Sequence, residues 1–230
     1  MEKSSTGRSC LMSLQCLQLE FNYFWHTGTG SGSGTHLDAL TEKDRDYLPF
    51  VSGKHLKGLL RHAFHRAEAW GWYDQSLPDG VAENWETLIF GSTNQEVARH
   101  LTLPGMLHVD DAILCSKERA WLNDSPELKP FLYQEVFSTA IETATGTAKK
   151  NSLRGIEVSL PVTLFSDLEL IVTATESEHR LQQQTLLKLE NPFFWLEPLL
   201  PLIDSVGAHR TRGLGEARLS IFDGRHKELS

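Results

Sequence analysis

At 230 residues and 40% hydrophobic composition, the chain is long enough to bury a sizeable core, and a single elaborated domain over 1–230 is expected. A formal net charge of −8 excludes wholesale coating of nucleic acid, which needs a broad excess of Lys and Arg. Any anion-binding surface must therefore be local.

Residues 17–25 alternate, with Leu17, Leu19, Phe21, Tyr23 and Trp25 on one face, which is the period of a half-buried strand. The segment 28-GTGSGSGTHLD-38 follows, a loop whose glycines permit close approach to a ligand. From Ser52 the period changes: Leu56, Leu59, Leu60, Ala63, Phe64 and Ala67 trace one face of an amphipathic helix over 54–68, with Ser52 as N-cap. The free N–H groups of its first turn are expected to favour an anion, and Gly58 inside it hints at a close backbone contact.

Residues 71–86 are polar and turn-rich and read as an inserted excursion, after which apolar character returns at 87-TLIFGS-92 and 103-LPGMLHVDDAILC-115. A second insertion over 117–154, with little periodicity, reads as a projecting lobe or loop. Strand character resumes over 156–175, with Pro161 marking an edge or bulge. A helix is expected within 181–200, beside the apolar run 191-NPFFWLEPLLPLI-203, and a closing strand at 217–222. The order strand, helix, strand, strand, helix, strand predicts an α/β (α+β) chain with a ferredoxin-like, split βαβ core.

Three segments point to a phosphodiester backbone. They are the glycine loop with its isolated carboxylate Asp38, the helix start 52-SGKHLKGLLR-61, and the closing loop 210-RTRGLGEAR-218. Lys54, Lys57 and Arg61 share a helix face with no acid among them, and Lys149, Lys150 and Arg154 form a second cationic group. Asp38 reads either as a turn-forming carboxylate or as a group that accepts a proton or holds a metal. His26 and His36 flank the loop and read as hydrogen-bonded loop residues or as acid–base aids; a zinc site from them with Asp38 lacks supporting residues. Trp70, Trp72, Trp85, Trp121 and Trp195 are assigned to packing rather than base stacking. The three cysteines have no CxxC spacing, which argues against disulfides and thiolate zinc and for a reducing compartment. No stretch resembles a signal peptide or a membrane span, so a cytoplasmic protein with no membrane partner is expected. A nucleotide-binding α/β enzyme is the alternative architecture, but no GxxxxGK[ST] occurs.

Five blocks in order, 28-GTGSGSGTHLDA-39, 49-PFVSGKHLKGLLR-61, 89-IFGS-92 with 105-GMLHVDDA-112, 138-STAIETATGTAKKNSLRGIEVSLP-161 and 207-GAHRTRGLGEARL-219, resemble the RAMP superfamily of CRISPR-associated proteins, and within it the backbone subunits of type III effector complexes. The resemblance spans about residues 17–222. It implies a modified ferredoxin-like, RNA-recognition-motif fold with inserted loops and a thumb-like projection at 138–155. It implies further copies and other effector-complex subunits as partners, a bound guide (CRISPR) RNA, and cleavage of the paired target RNA. Asp38 is then the residue tied to cutting with a divalent metal, Mg2+ by expectation, with His36 as a weaker catalytic candidate. Ser52, Lys54, His55, Lys57, Arg61, Lys149, Lys150, Arg154, Arg210, Arg212, Gly213 and Gly215 are the RNA-binding candidates. A structural subunit of the same ribonucleoprotein that binds but does not cut remains the alternative.

Overall fold

The computed structural model describes residues 12–30, 32, 37–73, 85–92, 102–175 and 177–224. In chain order the elements are β1 (Met12–Phe21), α1 (Gly53–Ala69), α2 (Trp85–Phe90), β2 (Leu107–Val109), α3 (Ser116–Asp124), β3 (Tyr133–Ser138), β4 (Arg154–Ser159), β5 (Thr163–Ile171), α4 (Ser177–Leu187) and β6 (Ala217–Asp223). Four strands form one sheet in the order β2-β5-β1-β6, each neighbouring pair antiparallel. Because β5 lies antiparallel between β1 and β2, the connection through α1 joins two parallel strands across an intervening one. With α4 between β5 and β6, this is the split βαβ order of a ferredoxin-like fold.

The register explains the layering. Leu17, Leu19 and Phe21 stand opposite Ile221, Leu219 and Ala217, and Leu107 and Val109 opposite Leu170 and Leu168, so one sheet face is largely apolar, interrupted by the buried Ser166 opposite Leu17. Helix α1 covers it with Leu56, Leu60, Ala63, Phe64 and Ala67, all buried. Each such Leu or Phe contributes about 1.5–3 kcal/mol of transfer free energy. The same cluster takes in Trp195, Leu196, Leu199 and Leu200 from the apolar run after α4. Gly53 admits this packing because its backbone lies against the Val109 carbonyl, where a Cβ would collide.

Three expectations are corrected. The first strand begins at Met12 and ends at Phe21; Tyr23 is 52% exposed, while Trp25 rejoins the structure by pairing with Ser159 at the end of β4. The stretch 117–154 is more ordered than its sequence suggests, holding most of α3, a 3-10 turn over Pro126–Leu132 and β3. Arg119 explains part of this, binding Asp44 at 2.6 Å and Asp46 at 2.7 Å, so ion pairs replace the missing apolar stripe. Gly58 meets nothing within 4 Å, so no internal contact requires it. Trp85 and Trp195 are core residues, whereas Trp70, Trp72 and Trp121 are exposed. Among the described residues no helix is long and apolar enough to cross a membrane.

Candidate nucleic-acid interface

The loop carrying Asp38 is laid along β4. Asp38 N–H donates to the Gly155 carbonyl (2.8 Å) and Glu157 N–H to the Ala39 carbonyl (3.0 Å), while Gly155 N–H donates to Asp38 Oδ2 (3.0 Å). One carboxylate oxygen thus fastens the loop, as a turn-forming carboxylate does, while the side chain as a whole remains exposed. Beyond Asp38 the β3–β4 ladder places Ser138 opposite Arg154. The chain then runs out through an exposed hairpin closed by the Ile141–Ala148 bridge, with Gly146 at φ 70°.

The terminal loop is brought to the same place by contacts with the first one. Gly207 at φ 101° lies against the His26 carbonyl, where a side chain would collide. Ala208 N–H donates to that carbonyl at 2.7 Å and Gly207 N–H to His55 Nε2 at 3.3 Å. His209 follows in the left-handed region at φ 59°, and Gly213 and Gly215, both at φ 80°, complete the turn into β6. His26 itself is buried, its Nδ1 2.7 Å from the Glu157 carbonyl. Burial holds His26 below the ordinary imidazole range, against the Glu157 carbonyl and with the nearby His209 pushing the same way. His55 is lowered too, first by burial and then by the charge of Arg210.

The consequence is a cleft of about 270 Å³ whose polar wall is Asp38, Ser138, Arg154, His209 and Arg212. Val136, Ile156 and Leu214 floor it. Arg154 and Arg212 also border an adjoining hollow of about 350 Å³ under the hairpin base. Segments more than a hundred residues apart thus converge on one carboxylate, two guanidinium groups and one imidazole. A separate shallow hollow of about 380 Å³ lies over the start of α1, lined by Ser52, Lys54, His55, Gly58 and Leu59.

The cationic face of α1 is not uniformly open. Lys57 Nζ donates to the Leu107 carbonyl at 2.6 Å, and burial, then the Arg61 charge, lowers its pKa. Arg61 is bound to Glu86 at 2.6 Å and to the Gly91 carbonyl at 2.8 Å, so the absent acid is supplied by α2. The first turn is likewise engaged: Ser52 Oγ accepts from His55 N–H and Asp111 Oδ1 from Gly53 N–H. Lys54 and Arg210 are exposed, as are Lys149 and Lys150 on the projecting hairpin. His36 lies outside the described residues.

The RAMP superfamily profile matches residues 18–218. The chain belongs to the RAMP superfamily. Every residue lining the Asp38 cleft falls inside this RAMP match. Among the solved structures that match, two share the fold over nearly the whole chain. One chain, from the cryo-EM structure of the Type III-B Cmr-beta bound to cognate target RNA, aligns with TM-score 0.60 at 10% identity, covering 94% of this chain and 98% of its own. Another, from the apo state of Type III-B Cmr-beta, aligns with TM-score 0.55 at 13% identity, covering 91% and 97%. No curated protein sequence matches.

One donor set able to hold a divalent ion is His65, Glu68 and Glu86, whose ligand atoms lie within 4.8 Å of one another. It sits about 15 Å along α1 from His55, and the Arg61 guanidinium already occupies Glu86. At Asp38 the described residues offer a metal one carboxylate, one of whose oxygens already accepts from Gly155 N–H, beside the cationic Arg154 and Arg212, so an ion there would need its remaining ligands from phosphate and water. Cys16 offers no thiolate: burial, with the charge of Asp167 adding, pushes it up to about 12. His209 is the site residue that sequence reasoning missed; its signal was its place between Gly207 and Arg210 in the glycine loop.

Proposed function

We propose that this chain is a guide-RNA-binding backbone subunit of a type III CRISPR effector complex, and that Asp38 supports metal-dependent cleavage of target RNA paired to the guide. The observation that carries the reading is the convergence of Asp38, Arg154 and Arg212 on one cleft in a RAMP-superfamily chain. Cleavage by the substrate's own 2′-OH asks little of the protein: acceptance of a proton, neutralisation of the phosphorane and enforced in-line geometry. Arg154 and Arg212 serve as the phosphate clamp, since guanidinium pairs planar oxyanions in two-pronged fashion and stays charged. Mg2+ held by Asp38 would polarise the phosphate and promote loss of the 2′-OH proton. Lys54, Arg210 and the hollow over Ser52–Leu59 carry guide backbone, with Lys149 and Lys150 on the hairpin reaching along the strand. Lys57 and Arg61 hold the fold rather than the RNA. Exposed Trp121, Phe131, Ile141 and Leu153 supply apolar contact area for neighbouring subunits, stacked head to tail.

A second reading has its own observation. The hydrogen bond from Gly155 N–H to Asp38 gives the carboxylate a structural duty, as expected of a subunit that binds without cutting. Substitution Asp38→Ala in the assembled complex separates the two. Loss of a negative charge near phosphates leaves attraction intact, so guide and target binding are expected to persist while cuts facing this subunit vanish, as they should with EDTA. Undiminished cutting by the variant removes Asp38 from the chemistry, and no cutting by the wild type leaves the structural subunit.

A further inference from the structure

We propose that His209 donates the proton to the leaving 5′-oxygen when RNA is cut beside Asp38. The inference rests on the cleavage reading above and assigns the half of the reaction that reading leaves unassigned. As the 2′-oxygen forms its bond to phosphorus, its proton is lost to solvent water beside Asp38. As the P–O5′ bond breaks, O5′ takes a proton from the His209 ring, giving a 2′,3′-cyclic phosphate and a 5′-hydroxyl with no oxidant, reductant or further reactant. An alkoxide is a poor leaving group, and a positioned acid contributes about 10²–10⁴-fold.

The cleft has few groups able to do this. Its polar wall is Asp38, Ser138, Arg154, His209 and Arg212. The arginines do not surrender protons at any working pH, a serine hydroxyl is no acid near neutrality, and a carboxylate that holds a cation has no proton to give. Imidazole alone serves as donor in the neutral range. Among the described residues the other imidazoles near this loop are committed: His26 is buried against the Glu157 carbonyl, and His55 Nε2 accepts from Gly207 N–H. His209 is half-buried with its ring centre 5.8 Å from that of His26. Its backbone is held in the left-handed region at φ 59°, which non-glycine residues seldom adopt. Two neighbours enforce it: Ala208 N–H on the His26 carbonyl, and Arg212 N–H on the His209 carbonyl at 2.8 Å. These bonds hold the His209 backbone at the cleft that His209 lines together with Asp38.

The test uses the assembled complex and two target RNAs, one with oxygen and one with sulfur at the bridging 5′ position of the scissile linkage; a thiolate leaves without protonation. Asparagine tolerates the left-handed backbone, so His209→Asn preserves the loop. It is expected to slow cutting of the oxygen substrate by about 10²-fold or more, yet cut the sulfur substrate within about threefold of wild type. Asp38→Ala is expected to lose both. Equal slowing of both substrates by His209→Asn, or normal cutting of both, overturns the proton-donor role while leaving the Asp38 reading standing. A wild-type complex inert on both overturns the cleavage reading and this inference together.

Discussion

The sharpest prediction separates cations that face solvent from cations engaged inside the fold. Arg154 and Arg212 are exposed on the cleft, whereas Lys57 and Arg61 donate to Leu107, Glu86 and Gly91. Each phosphate neutralised on a single strand adds about 0.7 to the slope of log affinity against log salt, so losing two contacts lowers it by about 1.4. Between about 50 and about 200 mM KCl the Arg154→Ala/Arg212→Ala variant should therefore lose about sevenfold less affinity than wild type. The assay is fluorescence anisotropy of labelled RNA on the assembled complex across that range. Lys57→Met and Arg61→Ala should leave the slope unchanged and instead lower the melting temperature. They leave the Leu107 carbonyl and the part-buried Glu86 short of a partner, at about 1–3 kcal/mol each. A slope change from Arg61→Ala as large as that from the cleft pair would refute the partition.

Other consequences follow from the same geometry. Gly58 is exposed inside α1 with open space around it, so Gly58→Ala should stabilise the fold by about 1 kcal/mol in denaturant melts. If guide backbone lies in the hollow over Ser52–Leu59, the same methyl should weaken RNA binding, and a variant that improved both would argue against that placement. Burial holds the pKa values of His26 and His55 low. The unfolded chain therefore takes up protons first as pH falls through the ordinary imidazole range, and stability present above that range is lost on further acidification. Melting temperature should drop from about pH 7.5 to about pH 5, and less steeply in His55→Gln, which keeps an acceptor for Gly207 N–H without titrating; a flat profile would count against buried neutral imidazoles. Ile141→Asp with Leu153→Asp, at side chains 70% and 66% exposed, should reduce assembly with partner subunits in size-exclusion profiles while leaving the monomer's melting temperature unchanged.

What was legible in the sequence follows from what was local. Helix α1 was readable because Leu56, Leu60, Ala63, Phe64 and Ala67 repeat with the helical period and all are buried, and Ser52 caps it as its residue type suggests. The closing strand was readable from its alternation. Helix α3 was not, because only Leu122 of its nine residues is buried and its anchor, Arg119, reaches acids some seventy residues upstream. For the same reason Lys57 and Arg61 looked free: the partners that occupy them come from 25 to 50 residues downstream. The cleft needed the fold, since Asp38 meets Arg154 and Arg212 only after β4 has laid itself against the first loop.

The sheet also bears on how RNA is read. RNA-recognition modules stack bases on aromatic side chains of an open sheet face, and the expectation of such a fold invites the same assignment here. The face opposite α1 argues otherwise. Along its ladders stand Glu20 beside Arg218, Cys16 beside Asp167 and Glu169 beside His108, with Cys16 and Asp167 buried, so this face is neither cationic nor fully open. Among the described residues, Phe222 is its one large ring exposed by more than a third. Carboxylates there repel phosphates and leave few rings for bases, so the sheet acts as a scaffold while the proposed RNA contacts gather at its rim, where the β3–β4 hairpin, the Asp38 loop and the Gly207–Gly215 turn meet. On the proposed reading, that division reconciles a net charge of −8 with a polyanionic ligand: acidic residues elsewhere would discourage stray binding and restrict productive contact to a strand threaded along the cationic rim.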